Sequence, residues 1–164
     1  MKIQIKGEYE INILIQNMFN SYEITTRNTN IVTNEGLNLI LQILGNKTTK
    51  RLGEVHVGTN PTEPSILDTI SSFSYPQAIP GSIDVESNTL IYNIKTDGSY
   101  IDGTREIGIW SDDNRVLITR DVHDTYDVPT SAIITVKYSL ILSNKTETVE
   151  EAVEESEEEI NDND

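Results

Sequence analysis

Apolar and polar residues alternate with a period of two along two long stretches of this chain. Tyr9, Ile11, Ile13 and Ile15 fall on one side of an extended segment, with Glu10, Asn12 and Leu14 on the other. That is the pattern of a half-buried strand. Further on, Ala132, Ile134, Val136, Tyr138, Leu140 and Leu142 alternate with Ser131, Ile133, Thr135, Lys137, Ser139 and Ile141. A helix would scatter the first set around its circumference, whereas a strand puts it on one face. A pattern that long predicts a central strand of a sandwich.

Shorter strands are predicted over residues 54–58, 89–95, 106–110 and 116–121, each bounded by turn chemistry. Asp97-Gly98 and Asp102-Gly103 supply residues tolerant of positive φ, as tight hairpin turns require. Ser111-Asp112-Asp113-Asn114 reads as a hairpin loop. Asn, Thr, Ser and Ile dominate the composition, a β-favouring mixture where Ile and Thr alternate. One helix interrupts the pattern. Asn34 can cap it, Glu35 complements the positive end of its dipole, and Leu37, Ile40, Leu41 and Leu44 form an apolar stripe. Gly45-Asn46 stops it, which bounds the helix at about 34–44. Residues 59–88 hold four of the five prolines and read as a long surface excursion with one turn near 65–70. The expected fold is mainly β: an antiparallel β-sandwich with one short α-helix, since short connections without a βαβ rhythm exclude a parallel sheet.

Charge divides the chain in two. The 164 residues carry a net charge of −15, and residues 146–164 hold ten carboxylates and no basic residue. Subtracting those ten leaves −5 on residues 1–145, the sandwich domain. The acidic C-terminal tail, 146–164, reads as a self-repelling disordered appendage. A short helix is the other reading, because Val149, Ala152, Val153 and Ile160 share a face at helical spacing. The acidity argues against partnership with nucleic acid, which needs clustered Lys and Arg, and against an anionic membrane surface. With no cysteine, a disulfide framework, thiolate catalysis and Cys-ligated zinc are excluded. No apolar run approaches the ~18 residues of a membrane-spanning helix, and the basic start has no apolar segment behind it. These features lead to the expectation of a soluble protein made in the cytosol.

Candidate chemistry is sparse. His56, between Val55 and Val57, reads as a packed structural histidine. His123 lies in the 121–127 segment with Asp121, Asp124 and Asp127, but the spacing matches no EF-hand and no metalloprotease motif. No nucleophile elbow, phosphate loop or dinucleotide fingerprint is present. The expectation is no enzyme, no cofactor and no metal. Two polar residues are placed suggestively: Glu106 begins one strand of the 106–121 hairpin and Arg120 ends the other. As hairpin partners they would pair across the ladder and fix its register. Gly108, between two isoleucines, suggests a bulge or a close backbone approach. Trp110 reads equally as a core cap and as an interface anchor.

Taken in order, Thr33-Asn34-Glu35-Gly36-Leu37, Val55-His56-Val57-Gly58-Thr59 with Pro61, Pro64 and Asp68-Thr69-Ile70, then Glu106-Ile107-Gly108-Ile109-Trp110 and Leu117-Ile118-Thr119-Arg120 resemble small tail, baseplate and tail-fibre proteins of bacteriophages. The resemblance covers about residues 30–142. It implies a virion structural module that assembles into a symmetric complex around a three-, six- or twelve-fold axis, without catalysis. It also implies that Glu106, Gly108 and Arg120 determine the fold. After Leu142 there is no shaft repeat, heptad pattern or receptor-binding tip, so an adaptor of the tail, baseplate, neck or fibre attachment is expected. Its partners would be other phage virion proteins and further copies of itself. It would reside in the virion, and in the host cytoplasm before assembly. The alternative is a glycan-binding sandwich for host-surface recognition, with Trp110, Tyr100, Tyr126 and Tyr138 as stacking faces. A metal-dependent hydrolase built on residues 121–127 is the third reading.

Overall fold

A computed structural model describes residues 2–18 and 20–145, and the predicted acidic tail lies outside them. The described residues form an antiparallel, mainly β fold with one α-helix. In chain order the elements are β1 (Lys2–Gln16), β2 (Ser21–Val32), α1 (Asn34–Leu44), β3 (Leu52–Gly58), β4 (Gln77–Ile79), β5 (Ser82–Glu86), β6 (Thr89–Asp97), β7 (Glu106–Ser111), β8 (Thr119–Val122) and β9 (Ile133–Lys145). The two long alternating patterns become β1 and β9, which pair in register over most of their length. β9 is central, between β1 and β6, and Ala132, Ile134, Val136, Tyr138 and Leu140 are all buried.

The hydrogen bonding departs from the expected two-sheet sandwich. All nine strands belong to one sheet, in the order β4-β3-β7-β8-β2-β1-β9-β6-β5. The join is short: β2 meets β8 only through Ile31↔Arg120 and Val32↔Thr119. The sheet is nevertheless rolled, and covalent geometry demands it. β4 and β5 lie at opposite ends of the strand order, yet only Pro80 and Gly81 connect them. Three Cα steps reach at most about 11 Å, so the two edges must come together. Val55 and Ile79 on one edge and Ile83, Tyr92 and Ile94 on the other line the same small gap. A single core results, containing Ile11 and Ile13 of β1, Val55 and Val57 of β3, Ile107 and Ile109 of β7, and Ile134 and Val136 of β9.

Several local expectations need correcting. β2 has no apolar alternation because most of it is exposed, and its Thr- and Asn-rich sequence hid it. The N-cap of α1 is Thr33, not Asn34: its hydroxyl oxygen accepts from Gly36 N at 2.9 Å and its O–H donates to the Leu117 carbonyl at 2.5 Å. Asn46, with φ 52°, takes the left-handed position after the helix rather than Gly45. The helix also faces a different way. Gly36, Leu39 and Ile40 are buried, whereas Leu37, Leu41 and Leu44 are exposed. Residues 98–100 form a 3-10 turn capped by Asp97 instead of a hairpin turn. The excursion at 59–88 contains β4, β5 and a 3-10 turn, Ile70–Ser72, besides the turn closed by Asp68 N to Ser65 O at 3.0 Å. The 116–121 strand shortens to a bridge at Leu117 followed by β8.

Candidate functional site

β7 is buried on both faces, and that decides what its residues do. Ile107 and Ile109 point into the main core. The other face meets the segment between β3 and β4, which folds over it and closes a second cluster of Phe73, Trp110 and Leu117. A strand covered on both sides must satisfy any polar side chain with protein partners.

Glu106 and Arg120 do this together. Both are fully buried, and Arg120 Nε donates to Glu106 Oε2 at 3.0 Å. They are diagonal rather than directly opposite: Glu106 faces Val122, and Arg120 stands two residues before it on the same face. The second carboxylate oxygen, Oε1, accepts from the backbone N–H groups of Asn60 at 2.9 Å and Ser74 at 2.8 Å. Arg120 donates a further bond through Nη1 to Asp68 Oδ2 at 2.9 Å, and its guanidinium carbon lies 5.9 Å from the centre of the Phe73 ring. Asp68 Oδ2 in turn accepts from Ser65 N at 2.9 Å. One buried ion pair therefore ties both ends and the middle of the 59–76 segment to the β7–β8 ladder. Sequence reasoning found the pair but missed Asn60, Asp68 and Ser74, of which only Asp68 carried a signal, as part of the Asp68-Thr69-Ile70 group.

Gly108 is a place of close approach. A β-carbon there would lie 2.2 Å from the Thr119 carbonyl oxygen, well inside contact distance. The register also slips at this point: Ile107 pairs with Asp121 and Trp110 with Leu117, three steps on one strand against four on the other. That is the bulge signature, and the Thr119 hydroxyl accepts from Ile109 N at 3.0 Å within it. Gly36 plays the same role for the helix, since its β-carbon would lie 2.3 Å from the Ile118 carbonyl oxygen. The α1 N-terminus can thus press directly on the backbone that leads to Arg120.

Trp110 is a core cap. It is 6% exposed, stacks on His56 with ring centroids 4.5 Å apart, and meets Phe73 edge-on at 5.4 Å. Burial holds the His56 imidazole below its ordinary pKa. The aromatic faces considered for glycan stacking are mostly committed inside: Tyr138 and Tyr126 are buried with Trp110, and Tyr100 packs against the main core. In the 121–127 segment, Asp121 Oδ2 accepts from the Tyr9 hydroxyl and from Asn28 Nδ2, each at 2.8 Å, and burial raises its pKa. His123 Nδ1 lies 2.9 Å from the Asp124 carbonyl oxygen, with its ring against Tyr126. Among the described residues no three His, Asp or Glu side chains converge as metal ligands.

The surface offers other features. An open groove of about 510 Å³ crosses the outer face of β2, β1 and β9, with Glu8, Glu10, Arg27 and Lys137 in its lining. Two of its charges engage each other: Arg27 bonds to Glu10, and with Asn12 it holds the Glu10 carboxyl below the usual range. More distinctive is the outer side of α1. Leu37, Leu41 and Leu44 form an exposed row at helical spacing, and Ile66 and Leu67 are exposed beside the helix start, where Asn34 N donates to Ile66 O at 2.8 Å. Compared with known protein families, curated proteins and solved structures, the chain has no significant match.

Proposed function

We propose that this chain is a non-enzymatic structural subunit of a bacteriophage virion, an adaptor that joins parts of the tail, baseplate, neck or fibre attachment. The observation that carries this reading is the row of Leu37, Leu41 and Leu44, continued by Ile66 and Leu67 and left in water by the fold. Aliphatic side chains grouped on an exposed helix face mark a protein–protein contact. The polar chemistry of the molecule supports the same reading from the other side. Its strongest charged cluster, Glu106 with Arg120 and Asp68, is used to hold the 59–76 segment, with Glu106 and Arg120 fully buried. The resemblance to phage tail and baseplate proteins supplies the setting: the rolled sheet serves as the sandwich-like body of the module, and the leucine row meets a neighbouring virion protein. The protein then resides in the virion, and in the host cytoplasm before assembly.

Mass spectrometry of purified particles from infected cells tests this. The chain is expected in stoichiometric amounts, and particles from cells that produce only Leu41→Glu are expected to lack it. Absence of the wild-type chain from intact particles overturns the reading.

A further inference from the structure

Among the described residues, the backbone of 21–30 in β2 pairs with β1 alone, although the Asn28 side chain reaches Asp121, so the backbone groups along the other edge are open. β8 takes that edge only from Ile31 onward and then leaves to pair with β7. Proteins usually blunt such an edge with a proline, a bulge, a sharp twist or charged side chains. Residues 21–30 contain no proline or glycine, and their two charges, Glu23 and Arg27, are opposite in sign. The register with β1 never shifts from Ser21↔Gln16 to Asn30↔Gly7, so no bulge bends it. Most of its side chains are exposed, including Tyr22 and Ile24. It is an unpaired template for another strand.

We infer that this edge pairs with the same edge of a second copy, antiparallel about a two-fold axis at Thr25. Length and charge together select that register. Two registers stop short of β8, keep opposite residues on one face and pair nine residues: one centres on Thr26, and the other sets Ser21 against Thr29 of the partner subunit and centres on Thr25, which meets its own symmetry mate. Charge decides for the second. The same register places Glu23 opposite Arg27 of the partner subunit, and Arg27 opposite Glu23 of the partner subunit. Sliding by two residues either way separates these charges from each other. Sliding by four sets like against like: Glu23 against its own mate in one direction, Arg27 against its own mate in the other. Glu23 and Arg27 lie on the outer face of the sheet, where Arg27 Nε bonds to Glu10 and the guanidinium keeps further donors for a second carboxylate. Opposite charges facing across strands favour a register, and like charges oppose it. This contact goes beyond the virion reading and does not depend on it. A dimer absent from particles would sink only the proposed function, and a monomer present in them only this pairing.

The chain's lack of cysteine makes the test direct. In the full-length protein, Thr25→Cys is expected to form a dimer-linking disulfide under mild oxidation, because facing Cα atoms in an antiparallel pair lie about 4.5–5.5 Å apart. Thr29→Cys is not expected to, since its symmetry mate is about 27 Å away along the strands. Both positions are exposed, so neither change threatens the fold. Light scattering on the wild type should give a dimer mass. Glu23→Arg and Arg27→Glu should each weaken the dimer by at least about tenfold, and mixing the two variants should restore it, because every facing pair is then opposite in charge. A monomeric wild type, equal cross-linking at both positions, or a mixture no tighter than either variant alone overturns the proposal.

Discussion

Changing Glu106 to Gln keeps the shape of the side chain and removes its charge, and the geometry leaves the amide no good orientation. If its oxygen keeps the bonds from Asn60 N and Ser74 N, its NH₂ group turns toward Arg120 Nε, donor against donor. If it flips, two backbone N–H groups lose their acceptor instead. A charge-assisted bond contributes about 1.5–3 kcal/mol, and breaking a buried pair from one side costs about 3–5 kcal/mol. Asp68 still compensates Arg120 in this variant, so the expected loss for Glu106→Gln is about 3 kcal/mol, at the lower end of that range. Arg120→Met should cost more, about 4–5 kcal/mol, because it strands Glu106 where water does not reach. The double variant should lose less than the sum, with a coupling of about 1–3 kcal/mol. Urea unfolding followed by circular dichroism measures all three, provided the slopes agree. A single-variant loss below about 1 kcal/mol, or strict additivity, would show that the pair does not hold the fold. The single variants should also make the 59–76 segment the first site of limited proteolysis, since Glu106 and Arg120 anchor it.

Other expectations follow from the same structure. Burial lowers the folded-state pKa of His56 and His123, so the unfolded chain takes up protons first; stability should be full above about pH 6.5 and fall as pH drops through the depressed values. His56→Phe keeps an aromatic ring against Trp110 and should flatten, but not abolish, that acid slope in melting experiments, since His123 remains; an unchanged slope refutes the assignment. Gly108→Ala forces a β-carbon onto the Thr119 carbonyl and should cost about 2–4 kcal/mol, whereas Gly103→Ala meets open space and bears only left-handed strain of about 1–2 kcal/mol; calorimetry that reverses this order contradicts the close-approach reading. Leu41→Glu should leave the melting temperature within about 2 °C of wild type, because the side chain is exposed; a larger drop would mean that the leucine row is already covered within the chain.

How much of this could be read from the chain depended on where each residue's partners lie. β1 and β9 were legible because one face of each meets the core and the other does not, which leaves the period-two signal in the sequence. β7 was legible only as a short apolar run, since both its faces are buried and no alternation survives. β2 was invisible for the opposite reason: most of its residues face water on both sides, and its pairing with β1 is recorded in backbone bonds to which Thr, Asn and Ser contribute little pattern. The Glu106–Arg120 pair could be inferred because both partners sit on one hairpin. Asp68 lies 52 residues from Arg120 in the chain, and no local rule connects them. The helix was placed almost to the residue, yet its buried face was misjudged. Periodicity picked Leu37, Ile40, Leu41 and Leu44, of which the structure buries only Ile40, together with Gly36 and Leu39. The reason is Gly36. Its missing side chain lets the helix start press on the Ile118 backbone, and that contact turns the leucines outward.

That rotation separates what holds the fold from what the fold presents. Thr33 and Gly36 lock α1 onto residues 117 and 118, Gly58 leaves room for the Glu106 carboxylate, Gly108 admits Thr119, and Arg120 joins two segments. These are junctions, and each of them falls within the sequence motifs on which the expected resemblance rests. Junction residues constrain how a chain folds whatever it later binds, so likeness at those positions bears on architecture before it bears on role. The features able to meet a partner lie elsewhere: the leucine row on the far side of α1, and the open edge of β2, whose sequence carries no motif at all. Variants at the junctions should therefore change stability first, and variants at Glu23, Thr25, Arg27 and Leu41 should change association while the fold stands. Stability and association should separate along that line. If Leu41→Glu or Glu23→Arg instead unfolds the chain, the surfaces assigned to assembly belong to the core, and the division between junction and surface fails.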